Sequence, residues 1–280
     1  MAVDLHTHST LSDGTRTPEE IVATAVQRGL YAISITDHDH VAGVAPAQRA
    51  AGDDLLVLPG VEVSTDLHDA EVHILGYLID CHHEALLAKL AEVRASRVWR
   101  AREMVKRLNS LGVSLDYAQV EQIAAEGSVG RPHVARALLD QGAVGSQAEA
   151  FRRFLRRGGP AYVPRYKLSP AEAITLIRQA SGVAVLAHPG LCRDDEAVRE
   201  VLQLGIGGLE AYHTDHTDFQ TEKYLRMADE RGLLVTGGSD SHGPGGPIPV
   251  GVGSVDVPDA AADALVMWAK NNGGHIMAIG

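Results

Sequence analysis

Short apolar runs alternate along the chain with longer stretches in which apolar residues recur at helical spacing. The apolar runs predict seven strands, at residues 3–6, 32–36, 56–62, 71–77, 183–188, 208–211 and 234–238. Regular alternation of strands and helices is typical of α/β proteins with parallel sheets. We therefore expect a mostly parallel sheet that is closed, or nearly closed, as a barrel.

Two of the predicted helices begin with the same N-terminal signal. Residues 17–20 read Thr-Pro-Glu-Glu and residues 169–172 read Ser-Pro-Ala-Glu. Each segment predicts a capping box with proline at the first helical position. Gly29 is placed to end the first of these helices, because glycine readily adopts the left-handed conformation that follows a helix.

The alternation stops between about residues 81 and 164, where helical patterns follow one another at 84–111, 116–126, 132–141 and 147–157. We interpret this stretch as a helical insertion between the fourth and fifth strands. The chain would then consist of a barrel domain, residues 1–80 and 165–280, and an inserted helical subdomain, residues 81–164.

Composition supports a globular protein with a large core. The chain has 280 residues, of which 45% are hydrophobic, and only two cysteines, Cys81 and Cys192. Two isolated cysteines, no signal-peptide pattern and no membrane-length apolar run favour a reduced, cytoplasmic protein that does not enter a membrane.

Charge is unevenly distributed along the chain. The net charge of -11 argues against binding of long duplex nucleic acid. Residues 81–166 nevertheless carry 14 basic and 8 acidic side chains, a net of +6, against -17 for the rest. The basic stretch is either a solvated helical face or a surface for an anionic substrate.

Histidine and carboxylate side chains cluster at the ends of the predicted strands. These residues are His6, His8, Asp13, His38, Glu62, His73, His188, Asp240 and His242. In a parallel barrel the carboxyl ends of the strands form one rim, where such folds build their sites. Burying nine such groups is costly unless they bind metal or one another, so together they predict a metal centre.

Each of these residues also has a structural explanation when taken alone. A His-x-His pair is often two surface histidines, and His73 within an apolar run is compatible with a hydrogen-bonded core histidine. Asp13 lies in a Ser-Asp-Gly segment typical of a turn. Only the joint placement favours a metal site over these alternatives.

The same motifs resemble those of the polymerase-and-histidinol-phosphatase (PHP) superfamily. The matching segments are His-Thr-His at 6–8, Thr-Asp-His-Asp at 36–39, Gly-Val-Glu at 60–62, Ala-His-Pro at 187–189 and Gly-Ser-Asp-Ser-His at 238–242. The similarity spans the chain and is strongest to the branch with nucleoside 3',5'-bisphosphate phosphatases and a short-RNA 5'-to-3' exonuclease. That branch has a helical insertion with Gly-Arg-Pro-His, here 130–133, and Pro-Ala-Tyr-Val-Pro, here 160–164. The branch also has an aspartate at a position where histidinol phosphatases tend to have a histidine, and in this chain that residue is Asp13.

The resemblance implies a distorted seven-stranded TIM-like (β/α)7 barrel that holds three divalent metal ions. The first ion would take His6, His8, Glu62 and Asp240, the second Glu62, His73 and His188, and the third Asp13, His38 and His242. Glu62 would bridge two ions, and Glu62 and Asp240 would act in catalysis. Imidazole and carboxylate ligands suit manganese, iron or zinc better than calcium and do not choose among the three; manganese is the ion that we expect first, with iron or zinc as alternatives. His40 departs from the family, which often has threonine there.

Other polar residues are candidates for substrate binding. Arg131 and His133 open a predicted helix, where cationic side chains and free N–H groups suit an anion. Lys167 follows the insertion. It is a candidate for binding a second phosphate, and the alternative is that it is an ordinary charged surface residue. His213 and His216 follow the sixth strand as substrate-binding or outer residues, with His216 as the candidate proton donor.

We therefore expect a metal-dependent phosphoesterase whose metal-bridging hydroxide attacks the phosphorus. Its substrate would be a small phosphorylated nucleotide, such as a nucleoside 3',5'-bisphosphate, or short RNA cut to 5'-nucleotides. Two alternatives remain: a phosphatase of another metabolite, such as histidinol phosphate, and a metal-stabilised binding module without turnover. The basic insertion and Asp13 argue against the former, and the complete ligand set against the latter.

Overall fold

The computed structural model of the protein describes residues 2–68, 70–124, 128–164, 168–192, 194–244 and 250–274. Its strands are β1 (Ala2–Thr7), β2 (Ala32–Ile35), β3 (Leu56–Leu67), β4 (Ala70–Tyr77), β5 (Val183–Leu186), β6 (Gly208–His213), β7 (Leu234–Gly238) and β8 (Val257–Pro258). Its helices are α1 (Pro18–Gln27), α2 (Val44–Ala51), α3 (Glu84–Ser110), α4 (Tyr117–Ala124), α5 (Arg131–Asp140), α6 (Gln147–Ala150), α7 (Pro170–Gln179), α8 (Asp195–Gln203), α9 (Asp218–Asp229) and α10 (Ala260–Asn272). A π-helical turn, Phe151–Leu155, continues α6, and a 3-10 turn, Pro189–Leu191, follows β5.

The strands form one nearly closed, barrel-shaped sheet in the order β7-β6-β5-β4-β3-β2-β1-β8. Beyond the end of β7, the backbone N–H of Asp240 donates to the carbonyl of His6, and that of His8 donates to the carbonyl of Ser241, both at 2.9 Å. These two bonds bring the end of β7 against the end of β1. The predicted barrel is confirmed, with eight strands among the described residues rather than seven. The extra strand, β8, is a two-residue strand antiparallel to β1.

β4 runs against both of its neighbours, which corrects the prediction that His73 lies at a carboxyl strand end. The short connection between β3 and β4 permits only a hairpin, and a hairpin is antiparallel. The amino half of β4 therefore lies at the rim, with His73 paired to Ser64. For the same reason β3 extends beyond its predicted end, Glu62, and continues to Leu67 to form the hairpin.

The predicted capping signals are confirmed at both helices. The Thr17 and Ser169 side chains accept bonds from the backbone N–H groups of Glu20 and Glu172. In turn, each glutamate side chain accepts a bond from the backbone N–H of its cap residue. Gly29, with φ of +67°, follows the end of α1 as predicted. Within the described part of the chain, no helix is long and apolar enough to cross a lipid bilayer.

The stretch between β4 and β5 is helical, as predicted, and has a hydrophobic core of its own. That core is built from α3 to α6 and the segments that join them, between Ala101 and Val163. The first half of α3 instead packs on the barrel core through Leu86, Leu90 and Val93. α3 thus belongs to both cores. The division into residues 1–80 with 165–280 and residues 81–164 stays a prediction.

Candidate active site

The nine predicted metal ligands meet at one rim of the barrel. They come from β1 and the loop after it (His6, His8, Asp13), the segment after β2 (His38), β3 (Glu62), β4 (His73), the end of β5 (His188) and the end of β7 (Asp240, His242). Six are buried and three, Asp13, His38 and His73, are half-buried. The ring centroids of His8 and His242 are only 4.3 Å apart. The structure thus brings the whole predicted set together.

Glu62 lies at the centre of this cluster. Its Oε1 atom is 2.7 Å from Nδ1 of His73 and 3.0 Å from Nε2 of His188. Its Oε2 atom is 2.9 Å from Nδ1 of His38 and 3.2 Å from Nε2 of His8. A carboxylate with imidazoles around both oxygens has the geometry that a bridge between two cations needs.

Four overlapping groups of these side chains have ligand atoms within 4.8 Å of one another. The groups are His8, Asp13, His38 and His242; His6, His8 and Asp240; His6, Glu62 and His188; and His38, Glu62 and His73. The first contains every residue expected for the third metal, and the second contains three of the four expected for the first metal. Glu62 belongs to the last two groups, as a shared ligand would.

Many ligand atoms in the cluster are buried without a hydrogen-bond partner. Among the described residues these atoms include His6 Nε2, His8 Nε2, Asp13 Oδ1, His38 Nδ1, Glu62 Oε2, His73 Nε2, His188 Nδ1 and Asp240 Oδ1. Buried polar atoms without partners are costly, and coordination to cations would satisfy them. The donor set of neutral imidazoles and carboxylates therefore fits divalent metal ions, with manganese, iron and zinc all compatible.

The carboxylates of the cluster are held in the ionised form. Burial by itself raises the pKa of Glu62, but the surrounding imidazoles, His38 first, hold it well below the usual range. Burial also raises the pKa values of Asp13 and Asp240. Nearby imidazoles, His242 first for Asp13 and His6 first for Asp240, outweigh burial and hold both pKa values well below normal. Three ionised carboxylates at one rim create the negative field that concentrates cations.

The same carboxylates hold protons on the histidines when no cation competes for them. Burial lowers the pKa of His8, but Asp240 and Glu62 outweigh it and raise the pKa to about 10. For His73, Glu62 outweighs burial and raises the pKa to about 9. Histidine must be neutral to coordinate metal, so metal ions and protons compete for these rings.

Glu210, on β6, is a site residue that the sequence patterns do not single out. Its carboxylate accepts a bond from Nδ1 of His6 at 3.0 Å and another from the backbone N–H of His188 at 2.7 Å. An ionised carboxylate only accepts hydrogen bonds, so the proton lies on Nδ1 of His6 and Nε2 stays available for a cation. A buried glutamate within the apolar run 208–211 was the signal that could have found it.

Two further buried carboxylates fix the loops that bear ligands. Asp4 accepts bonds from the backbone and hydroxyl of Ser239 at 2.8 and 2.6 Å, next to Asp240. Asp37 accepts a backbone bond from Ser9 at 2.7 Å and a hydroxyl bond from Ser12 at 2.7 Å, within the loop that leads to Asp13. These bonds hold the loop backbones, as the outer partners of metal ligands do.

Three non-glycine residues at the rim have left-handed backbone conformations. They are Asp39 with φ of +53°, His188 with φ of +24° and Asp240 with φ of +52°. Such conformations cost about 1–3 kcal/mol each and persist where the surroundings enforce them, often at functional sites. Two of the three belong to the predicted ligand set.

His213 lies at the edge of the cluster. Its Nε2 atom is 3.5 Å from Oδ2 of Asp240, and its Nδ1 atom accepts a bond from the backbone N–H of Asp215 at 3.1 Å. In the neutral ring the proton therefore lies on Nε2, on the side that faces the cluster. His213 can donate a hydrogen bond there, in keeping with the substrate-binding role predicted for it.

His216, predicted to be a catalytic proton donor, has both ring nitrogens bonded to backbone. Nδ1 donates to the carbonyl of Ala211 at 2.9 Å, and Nε2 accepts from the N–H of Gly190 at 3.1 Å. Burial lowers the pKa of the ring, which favours its neutral form. These contacts favour a role in holding the turn after His188, because they leave no ring proton free for a leaving group.

The insertion places Arg131 and His133 near the rim. Arg131 donates to Glu71 of β4 at 2.8 Å, and the other oxygen of Glu71 is 3.5 Å from Nε2 of His73. His133 is buried and accepts a bond from the N–H of Gly130 at 2.9 Å. Lys167 lies outside the described residues.

Comparison with known proteins points to a single family. A model of the PHP domain matches residues 4–147. A 3',5'-nucleoside bisphosphate phosphatase from Chromobacterium violaceum is 36% identical over 250 residues, 87% of this chain and 88% of that protein. The 5'-3' exoribonuclease Rnm of Escherichia coli is 34% identical over 252 residues, 86% of this chain and 85% of that one. A crystal structure from Bifidobacterium adolescentis, described as a metal-dependent phosphoesterase, superposes with a TM-score of 0.87 at 33% identity, covering 95% of both chains.

Proposed function

The chain belongs to the PHP domain family, and we propose that it removes a phosphate from a nucleoside 3',5'-bisphosphate or releases 5'-nucleotides from short RNA. It is a metal-binding hydrolase of phosphoester bonds, and its substrate is a small phosphorylated molecule. We propose in addition that the substrate is a nucleotide or short RNA and that the site holds three ions, with manganese as the native metal. The observation that carries it is the cluster of nine ligand-type side chains around Glu62, beside a basic insertion.

The ligand set would divide among three positions, two of which share Glu62. His6, His8 and Asp240 would hold one ion, His73 and His188 the second, and Asp13, His38 and His242 the third, with Glu62 between the first two. Bound divalent cations would lower the pKa of water and neutralise charge on the phosphoryl oxygens. No serine or cysteine nucleophile motif lies among the site residues, so we assign the attack to water.

Residues around the cations would orient the substrate. Nε2 of His213 faces the cluster and can donate to a phosphoryl oxygen, while Glu210 keeps His6 in the tautomer that the centre needs. Arg131 and His133 approach from the insertion, where a second anionic group of the substrate would lie. Glu71 holds the Arg131 guanidinium near the rim, and a substrate phosphate can take over that bond. Lys167 stays a candidate for the same group.

The location that we propose is the cytoplasm. Cys81 and Cys192 are both free thiols in the structure, as expected of a protein in a reducing compartment.

A substrate panel tests the proposed function. Initial rates would be measured with added Mn²⁺ on adenosine 3',5'-bisphosphate, a 5'-phosphorylated short RNA, histidinol phosphate and 4-nitrophenyl phosphate. We expect the highest kcat/KM on the bisphosphate or the RNA. The Glu62→Gln protein, purified in the same way, controls for contaminating phosphatase.

Each other outcome has a distinct meaning. A higher kcat/KM on histidinol phosphate would replace the nucleotide assignment by the metabolite phosphatase. Absence of turnover on every substrate, in protein that has taken up metal, would favour a binding module.

A further inference from the structure

The helical insertion is hydrogen-bonded to the barrel next to His38, a predicted metal ligand. Asp39 directly follows His38, and its side chain is fully buried. One of its carboxylate oxygens accepts a hydrogen bond from Nε of Arg97, on α3, at 2.7 Å, and forms an ion pair with Nη2 of the same arginine at 2.6 Å. Its carbonyl accepts a bond from Arg94, one turn earlier on the same helix, at 2.6 Å. Two arginines of α3 therefore bind one residue of the rim.

The residue that they bind is itself tied to the centre of the cluster. The backbone N–H of Asp39 donates to the carbonyl of Glu62 at 2.9 Å, and His38 and Glu62 form an isolated parallel bridge. The second carboxylate oxygen of Asp39 accepts the N–H of Ser64 at 2.9 Å, and Arg97 also bonds the Ser64 hydroxyl. Arg97 therefore joins the segment that bears His38 to the strand that bears Glu62.

The insertion touches the same side of the cluster at a further point. The N–H of Ser128 donates to the carbonyl of Leu11, two residues before Asp13, at 3.1 Å. The contacts of the insertion thus reach the segments of two residues, Asp13 and His38, that would hold the same ion.

We propose that Arg97 is a positioning residue for the metal position formed by Asp13, His38 and His242, so that this position fills tightly only when the insertion is docked. The inference rests on the proposed three-metal centre. Without Arg97, the buried carboxylate of Asp39 would lose its ion pair and keep only the N–H of Ser64, a costly arrangement beside His38 that the segment would relieve by moving. A ligand held by such outer contacts loses about tenfold to a hundredfold in metal affinity when they are removed.

The test is a metal titration of the wild-type protein and three variants, two at Arg97 and one control. Chelator-treated wild type, Arg97→Ala and Arg97→Lys would be titrated with Mn²⁺, with free Mn²⁺ followed by electron paramagnetic resonance and bound metal checked by elemental analysis. Arg97→Lys keeps the positive charge but not the planar fork, and it serves if the alanine protein is unstable. Arg102→Ala is the matched control, because Arg102 lies on the same helix but over the Tyr117 ring, within the insertion.

We expect wild type and Arg102→Ala to bind three ions. In Arg97→Ala one of the three should bind about tenfold to a hundredfold more weakly, with an intermediate loss in Arg97→Lys. If the Arg97 variants melt at lower temperature but bind three ions with wild-type affinity, Arg97 is an ordinary structural ion pair and the inference is overturned. Wild-type protein that binds fewer than three ions would instead overturn the proposed centre, and the inference with it.

Discussion

At the scale of single residues, Glu62 is in contact with five of the other predicted ligands. It is the one predicted ligand with imidazole nitrogens within 3.2 Å of each of its two oxygens. Its ionised form is maintained by those rings, since they hold its pKa well below normal against the effect of burial. A neutral isostere would keep the size of the side chain and remove the charge that two cations would share.

Glu62→Gln should therefore reduce kcat by at least about a thousandfold at saturating Mn²⁺, which corresponds to about 4 kcal/mol of transition-state stabilisation. The measurement is steady-state turnover, with circular dichroism to establish that the variant is folded. Turnover close to that of wild type would mean that Glu62 does not bridge metal ions.

The sequence could predict eight of the nine ligand-type residues because they lie in or just after an apolar strand run, where the chemistry of the side chain conflicts with its surroundings. The ninth, Asp13, lies in the loop after β1 and was singled out by its place in the joint pattern. Glu210 and Asp4 escaped prediction, although both lie within apolar runs. Their partners, His6, the backbone of His188 and Ser239, are distant in sequence, so only the fold reveals that their charges are satisfied. His216 was predicted from its position after β6, but the backbone bonds of its ring nitrogens could not be read from a single sequence.

At the scale of elements, local signals predicted helix starts better than strand direction. The capping boxes before α1 and α7 involve contacts within four residues, so they can be read from the sequence directly. The direction of β4 depends on the length of its connection to β3, and the sequence pattern of a buried strand is the same in both directions. The consequence for the site is small, because the hairpin still places His73 beside Glu62.

The insertion is the element that should set substrate choice. Arg131 begins α5 and is only partly exposed, and its guanidinium pairs with Glu71, one carboxylate away from His73. The cations would hold the phosphate that is cleaved. Arg131 would then recognise a second anionic group on the substrate by exchanging its bond to Glu71 for a bond to that group.

Arg131→Ala should lower kcat/KM by about tenfold to a hundredfold on adenosine 3',5'-bisphosphate, as expected for loss of a charged hydrogen bond worth about 1.5–3 kcal/mol. It should barely change kcat/KM on 4-nitrophenyl phosphate, which has no second anionic group. Arg136→Ala, on the same helix but paired with Asp140 at the surface, is the control. Equal losses on both substrates would mean that Arg131 supports the fold or the metal centre instead.

At the scale of the whole molecule, the protein combines an acidic barrel with a basic insertion. The net charge of the chain is -11, whereas residues 81–166 have a net charge of +6. On the proposed function, the carboxylates of the barrel rim would attract divalent cations, and the basic stretch beside it would attract an anionic substrate. Such a division of charge would allow one protein with a strongly negative net charge to bind phosphorylated molecules.

The central claim is that this rim holds a cluster of divalent ions that the reaction requires, and the metal content of active protein tests it most directly. Protein prepared without chelator would be analysed for bound metals by elemental analysis, and the same sample assayed for phosphatase turnover. We predict more than one divalent ion per chain, with turnover lost on chelation and restored by Mn²⁺. A well-folded protein that turns over substrate at full rate while free of metal would contradict the account.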